Sequence, residues 1–328
     1  KSIIHEFTRP FYIDNYKVFV TPSIGISIFP DHGKELDHLV KRADLAMFQV
    51  KKNGRNNYNF YNAELDNLVS QKLYLENELR KALANDQLSM YYQPQIDLKT
   101  GQIVAVEALI RWNHPELGHI SPGEFIPIAE EMGLIIPIGD WILKKVCQQT
   151  KQWFDAGYHI DRAAVNISIR QFQDKHLVEK VERAIKESGL PPEHLELEIT
   201  ESIMRNVNDL AVVLEELKGL GVKISVDDFG TGYSSLSVIQ NLPIDALKID
   251  QSFIDKCLVD DKSAALVKTI IDMGHNLSFA VVAEGIEEEE QAEFLRTNTC
   301  LIGQGYLYSK AIPFEEIFDL LDKGKIEY

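Results

Sequence analysis

The chain has 328 residues, 45% hydrophobic and 26% charged, the make-up of a soluble globular protein of one or two domains and not of a disordered or fibrous one. Its 34 Lys and Arg against 50 Asp and Glu leave a formal charge of −16, which excludes sequence-independent binding to a nucleic-acid polymer, since a phosphate backbone is held mainly by cationic side chains. Cys147, Cys257 and Cys300 lie far apart with no C-x-x-C spacing, which argues against a disulfide framework or a thiolate zinc site and for a reducing compartment.

In chain order, residues 1–62 read as a small α/β piece: a strand at 16–28, a helix at 36–52 stopped by Asn53-Gly54, and a strand at 58–61. The chain opens on Lys1 with no signal-peptide pattern, and no apolar run reaches the roughly 18 residues of a membrane span. It therefore reads as a cytoplasmic fragment of a longer parent, in which an upstream membrane anchor is compatible with the sequence. Residues 63–86 form a charged helical connector in which Leu65, Leu68, Leu75, Leu79 and Ala82 fall at three-and-four spacing, interrupted by Lys72. Packing on its own domain and a coiled-coil-like signalling role both fit so short a stripe.

From residue 87 to 328, strand candidates recur at 89–96, 103–112, 163–168, 195–200, 222–227, 246–250, 279–284 and 301–308. Between and after them lie helical segments at 122–131, 141–156, 176–187, 207–217, 234–240, 263–277, 289–297 and 313–323, with Gly or Pro at most junctions. Such alternation predicts an α/β barrel, whose active site would lie where strands end and loops begin.

Those strand ends are polar. The second strand carries Glu107 and Arg111, and the third to eighth run into Asn166, Glu198, Asp227-Asp228, Lys248, Glu284 and Gln304. A lone acid there would read as a cap or loop residue, but so many strands in register point to one site. Oxygen donors without His or Cys suit a hard cation such as Mg²⁺ or Mn²⁺, and Asp227-Asp228 offers ligands for two. Two metals about 3.5–4 Å apart acidify a bridging water and clamp the oxygens of a phosphoryl displacement. The chemistry indicated is metal-dependent phosphodiester hydrolysis, with cations reconciling an acidic protein to an anionic substrate. Lys248 would hydrogen-bond or help deprotonate the water and neutralise developing charge, or else balance the carboxylates as an ion pair. Residues 228–236 lack the G-K-[ST] end of a phosphate loop and the third spaced glycine of a dinucleotide fingerprint, and read as a flexible loop tethered to the metal site. His114 and His119, flanking a turn, read as structural.

The ordered strings Glu107-Ala-Leu-Ile-Arg111-Trp112, Asn166-Ile-Ser168, Glu198-Ile-Thr-Glu201, Asp227-Asp-Phe-Gly-Thr-Gly232, Leu247-Lys-Ile-Asp250, Ala283-Glu-Gly-Ile-Glu287 and Gln304-Gly-Tyr306 resemble the EAL family of cyclic-di-GMP phosphodiesterases over residues 88–315. The resemblance implies a modified (β/α)8 TIM-like barrel with one antiparallel strand, hydrolysis of cyclic-di-GMP to linear pGpG, two Mg²⁺ or Mn²⁺ ions per site, and a homodimer formed through the barrel. It implies that Glu107, Asn166, Glu198 and Asp227 hold one ion, and Asp227, Asp228 and Glu284 the other. Lys248 would contact the catalytic water, with Glu284 and Glu287 also in the catalytic group and Glu201 steadying the 228–236 loop. Gln93, Glu107, Arg111, Asp228 and Gln304 would contact substrate. The sequence departs from the family pattern at Leu301, where Asp is common, at Ala311, where Pro is usual, and at Glu288, where Thr is usual; these put loop geometry in question, not the ligands.

Ser23-Ile-Gly-Ile26, Ala43-Asp-Leu-Ala-Met47, Lys52-Asn-Gly-Arg-Asn56 and Phe60-Tyr61 resemble the tail of a GGDEF, or diguanylate cyclase, domain without its signature segment. That implies a tandem GGDEF-EAL parent with upstream sensor regions, and no cyclase activity in these residues. A non-catalytic cyclic-di-GMP receptor is the alternative, and such receptors usually lose metal ligands or the loop, which this sequence keeps. A protein-contact scaffold would leave the acidic strand ends unexplained.

Overall fold

The computed structural model describes residues 2–7, 9–14, 16–52, 54–158, 160–205, 207–232 and 236–326. They divide into Lys1–Glu78 and Leu79–Tyr328, and the division falls inside the helix Ala63–Ala82. Leu65, Leu75, Leu79 and Ala82 of its apolar stripe are buried, and the side chain of Leu68 lies outside the described residues.

In the first unit, β1 (Phe11–Ile13) and β2 (Tyr16–Val18) make an antiparallel hairpin, and β3 (Ser23–Ile26) pairs in parallel with β4 (Asn57–Phe60) across the helix Leu36–Lys52. The predicted strand at 16–28 is thus two strands with different partners. Gly25 lets the helix lie directly on β3, because a Cβ there would come within 1.8 Å of the Ala43 carbonyl oxygen. Ala46, Tyr61 and Leu65 form a small core.

The second unit contains β5 (Leu88–Asp97), β6 (Ile103–His114), β7 (Gly118–Ile120), β8 (Arg162–Ile167), β9 (Leu195–Thr200), β10 (Lys223–Phe229), β11 (Ala246–Ile249), β12 (Ala280–Ala283), β13 (Ile302–Gly303) and β14 (Ile312–Pro313). Eight of them close a ring in the order β5-β13-β12-β11-β10-β9-β8-β6, and pairing of β5 with β6 completes it. β5 is antiparallel to both neighbours, and every other ring contact is parallel. This is the predicted barrel with one antiparallel strand. Parallel strands covered on both faces read as unbroken apolar runs; β11, Ala-Leu-Lys-Ile, is buried throughout with Lys248 as its single polar residue.

The predicted eighth strand, 301–308, contracts to Ile302–Gly303. Beyond it the chain turns, with the Tyr308 amide donating to the Gly305 carbonyl, and Gly305 packs so tightly on Ile286 that a Cβ would sit 2.0 Å from its carbonyl oxygen. Short helices at Ile169–Phe172 and Gln251–Ile254, too brief for a periodic signal, follow β8 and β11. Among the described residues no helix is long and apolar enough to cross a membrane.

Candidate active site

Strand register brings the predicted residues to one end of the barrel. Glu107 lies opposite Gln93 across the β5–β6 ladder, and Asn166 lies beside Glu198 between β8 and β9. Residues two apart on a strand share a face, so Glu196 and Glu198, both 1% exposed, point into the barrel in successive layers.

At the centre is Lys248, which has no exposed surface. Its ammonium lies 2.6 Å from Glu284, 2.9 Å from Glu198, 3.3 Å from Glu107 and 3.4 Å from Asp227. Burial opposes the lysine's charge, yet these carboxylates outweigh it and hold its pKa well above the usual lysine value. The carboxylates diverge from one another. Burial pushes Glu107 up, but Lys248 and hydrogen bonds from Gln304 (2.7 Å) and Asn166 (2.8 Å) bring it below its ordinary value. Burial and the neighbouring Glu107 raise Glu198 well above the carboxylate range, and burial lifts Glu284 to about 8 against the pull of Lys248. One ammonium does not neutralise so many desolvated acids, and the buried Glu198 carboxylate shares the Lys248 ammonium with Glu107, Asp227 and Glu284.

Adjacent strand residues normally face opposite sides of a sheet, so Asp227 and Asp228 need a device to serve one site. The pairing of β10 with β11 shifts register between Val226 and Phe229, and Asp228 takes a left-handed φ of 55°. This irregularity re-aims the pair, as bulges beside active sites do. Oxygens of Asp227, Asp228 and Glu284 come within 4.8 Å of one another, a grouping able to hold a metal ion. Burial, then Asp227 and Asp250, raise Asp228 to about 6. Of the other predicted set, Glu107, Glu198 and Asp227 are drawn together around Lys248, while Asn166 is exposed and reaches the group through its hydrogen bond to Glu107.

Glu201 follows β9 and is buried; one of its oxygens accepts from the amides of Gly230 (3.1 Å) and Gly232 (2.9 Å). It therefore ties down the start of the predicted 228–236 loop, of which residues 233–235 lie outside the described residues. A Cβ on Gly232 would stand 2.5 Å from that carboxylate.

A cleft of about 310 Å³ opens over the acids, lined by Gln93, Glu107, Asp227, Glu284, Glu287 and Gln304 among others. Arg111 stands outside that lining, half-buried, with its guanidinium 5.4 Å from the Tyr91 ring. Gln251 and Tyr306 also line the cleft, and the sequence reading assigned them no role. Gln251 belongs to a single-turn helix invisible to periodicity, while the position of Tyr306 two residues past Gln304 was a usable signal. Of the departures, Glu288 precedes the helix Glu289–Thr297, and the Gln291 side chain accepts from the amides of Glu287 and Glu288 at 2.8 and 3.0 Å, so that helix start is intact.

Comparison with known proteins identifies the family. The EAL domain family model matches residues 76–311, and the Diguanylate cyclase, GGDEF domain model matches residues 1–57. The chain is 41% identical over 318 residues to the bifunctional diguanylate cyclase/cyclic di-GMP phosphodiesterase MucR of Pseudomonas aeruginosa, covering 97% of this chain and 46% of that protein. It is 38% identical to the cyclic di-GMP phosphodiesterase PdeR of Escherichia coli, covering 95% of this chain and 47% of that one. The chain thus spans less than half the length of these curated relatives. Among solved structures, a MucR phosphodiesterase in complex with c-di-GMP superposes with a TM-score of 0.73 at 44% identity, covering 74% of this chain and 99% of that one.

Proposed function

The chain belongs to the EAL domain family, with a short GGDEF segment at its N-terminus, and on that premise we propose that it hydrolyses cyclic-di-GMP to linear pGpG. The single observation that carries the reading is the convergence of Glu107, Glu198, Asp227, Asp228 and Glu284 around Lys248, beneath an open cleft.

The residues fit a divalent metal: an oxygen-only donor set, an excess of buried acid over base, and a Glu198 carboxylate neutralised only in part by the Lys248 ammonium it shares with other acids. Asp227, Asp228 and Glu284 would hold one Mg²⁺ or Mn²⁺, and Glu107, Asn166, Glu198 and Asp227 a second. Bound there, the ions supply an acidified water and stabilise charge on the phosphoryl oxygens. Lys248, within 3.4 Å of four of these carboxylates, would serve as a hydrogen-bond donor to the water and a counter-charge as the phosphoryl group reacts. Gln93, Gln304 and Glu287 shape the cleft around the reacting phosphodiester, and Arg111 grips the substrate beyond it. Glu201 fixes Gly230 and Gly232, and with them the approach of Asp228.

We read residues 1–62 as a GGDEF remnant, 63–86 as a connector and 87–328 as the phosphodiesterase barrel. We further propose that the barrel pairs as a homodimer whose contact acts on the 228–236 loop; a monomer with full activity at assay concentration contradicts that. The deciding assay incubates purified protein with cyclic-di-GMP and Mg²⁺ or Mn²⁺ and follows pGpG by chromatography. Metal-dependent turnover that is lost in Glu107→Ala supports the enzyme, and tight binding without turnover selects a receptor in its place.

A further inference from the structure

A line of buried side chains runs through the barrel beneath Glu107, and its hydrogen bonds have a direction. Arg162 is ion-paired with Glu196 inside the barrel, and its guanidinium reaches the Gln95 carbonyl oxygen at 3.5 Å. Gln95, with no exposed surface, donates from Nε2 to the Gln304 carbonyl oxygen at 3.1 Å. Gln304 then donates from Nε2 both to Glu107 Oε2 at 2.7 Å and to Gln93 Oε1 at 3.1 Å, while Gln93 donates to the Ser309 carbonyl at 3.1 Å.

An amide side chain has two orientations of nearly equal shape, and only its neighbours choose between them. Here the ends choose. Arg162 can only donate, and the Glu107 carboxylate and the Ser309 carbonyl can only accept, so each amide between them has one orientation that satisfies both sides. Gln95 is the link that carries this choice to Gln304. Without its donor, the Gln304 carbonyl oxygen is left buried and unpaired, and the amide gains by rotating toward other partners.

We propose that Gln95 is a positioning residue: by holding the Gln304 carbonyl oxygen it keeps the Gln304 amide turned toward Glu107 and so fixes the carboxylate in its working orientation. Its consequence for catalysis rests on the reading of Glu107 as a metal ligand, whereas its geometric part does not. Groups that orient metal ligands from behind typically change metal affinity or activity by about 10–100-fold when removed.

The test compares wild type, Gln95→Met, Gln304→Met and the double variant, each as the 328-residue chain. Three readouts are taken: Mn²⁺ dissociation constant by calorimetry, kcat and KM for cyclic-di-GMP, and hydrogen exchange of the side-chain amide protons in metal-free protein. Gln95→Met is expected to weaken Mn²⁺ binding and lower kcat by about tenfold with KM little changed, and to lose exchange protection at the Gln304 side-chain amide. In the Gln304→Met background the same substitution is expected to change neither constant by more than about twofold, because its effect passes through Gln304. Equal losses in both backgrounds, or an unprotected Gln304 amide in wild type, overturn the proposal. If wild type binds no Mn²⁺ and turns over nothing, the functional reading fails, and the exchange measurement still decides the geometric part. Gln95→Asn, whose shorter amide cannot reach Gln304, replaces Gln95→Met if that variant does not fold, with the same outcomes expected.

Discussion

Glu198 and Lys248 project from β9 and β11 and are at most 1% exposed, whereas Asp228 and Glu287 lie at or past the strand ends and are open to solvent. The first pair is placed by the ladder itself: once the register of the barrel is set, those side chains have no alternative position. The second pair is placed by local backbone, a register shift and a left-handed residue for Asp228 and an irregular segment after the left-handed Gly285 for Glu287. Function built on a ladder is therefore coupled to folding, and function built on a loop can be altered with the fold left in place.

The largest expected effect breaks the inner part. Lys248→Met removes the cation that Glu107, Glu198, Asp227 and Glu284 share. Taking one partner from a buried charged cluster typically costs about 3–5 kcal/mol, and loss of a positioned donor about 10²–10³-fold in rate. Thermal melting of metal-free Lys248→Met should fall by many degrees, and Mn²⁺ should recover much of the loss by replacing the missing charge. A variant as stable as wild type in chelator would show that the acids are not held in check by Lys248.

Gly232→Ala addresses the outer part without touching the inner. A Cβ 2.5 Å from the Glu201 carboxylate has to displace either that carboxylate or the loop it holds. The expectation is a loss of kcat of about 10–100-fold, with melting temperature changed by only a few degrees. A large drop in stability with normal kcat would reverse the comparison and make Glu201 a structural anchor.

The two parts should also differ in how pH acts on them. Burial raises Glu284 to about 8, and burial with Asp227 and Asp250 raises Asp228 to about 6, both above the unfolded carboxyl values near 4. Raised acids contribute stability that is fully present below the unfolded pKa and is lost as pH rises through the folded one. Metal-free protein should therefore lose this contribution between about pH 4 and 8. Because a metal must displace those protons, Mn²⁺ affinity should climb over the same window and level off above it, as calorimetry in buffers of different ionisation enthalpy would read. A pH-independent affinity would mean that Asp228 and Glu284 are not ligands.

The same division explains what could be read in advance. The strand-borne residues were legible because short apolar strands each ended in a polar group, and Glu107, Glu198 and Lys248 meet as the barrel pattern requires. Asp227-Asp228 was legible as a pair, but not the bulge that lets both serve one site, since a register shift is a property of two strands together. Gln95 was hidden for a related reason: it lies inside a strand, among residues that read as core, and its importance comes from partners 67 and 209 positions away in sequence. The breakup of 16–28 into β2 and β3 has a signal in the sequence, Thr21-Pro22 between them, since proline cannot donate to a ladder, and reading one continuous strand passed over it.

The smallest effect is expected at Leu301, where the family commonly has Asp. Its side chain is 57% exposed, and what the fold takes from the position is its carbonyl, which accepts from the Leu98 amide at 2.8 Å. That bond is independent of the side chain, so the strand leading to Gln304 is held equally well by either residue. Exposed substitutions away from caps and networks stay within about 0.5 kcal/mol, and Leu301→Asp should match wild type in melting temperature and in kcat to within about twofold. A larger gain in kcat would show that the rim next to β13 communicates with Gln304 through the side chain at 301, and the line between ladder-placed and loop-placed residues would then have to be drawn one residue earlier, at Cys300.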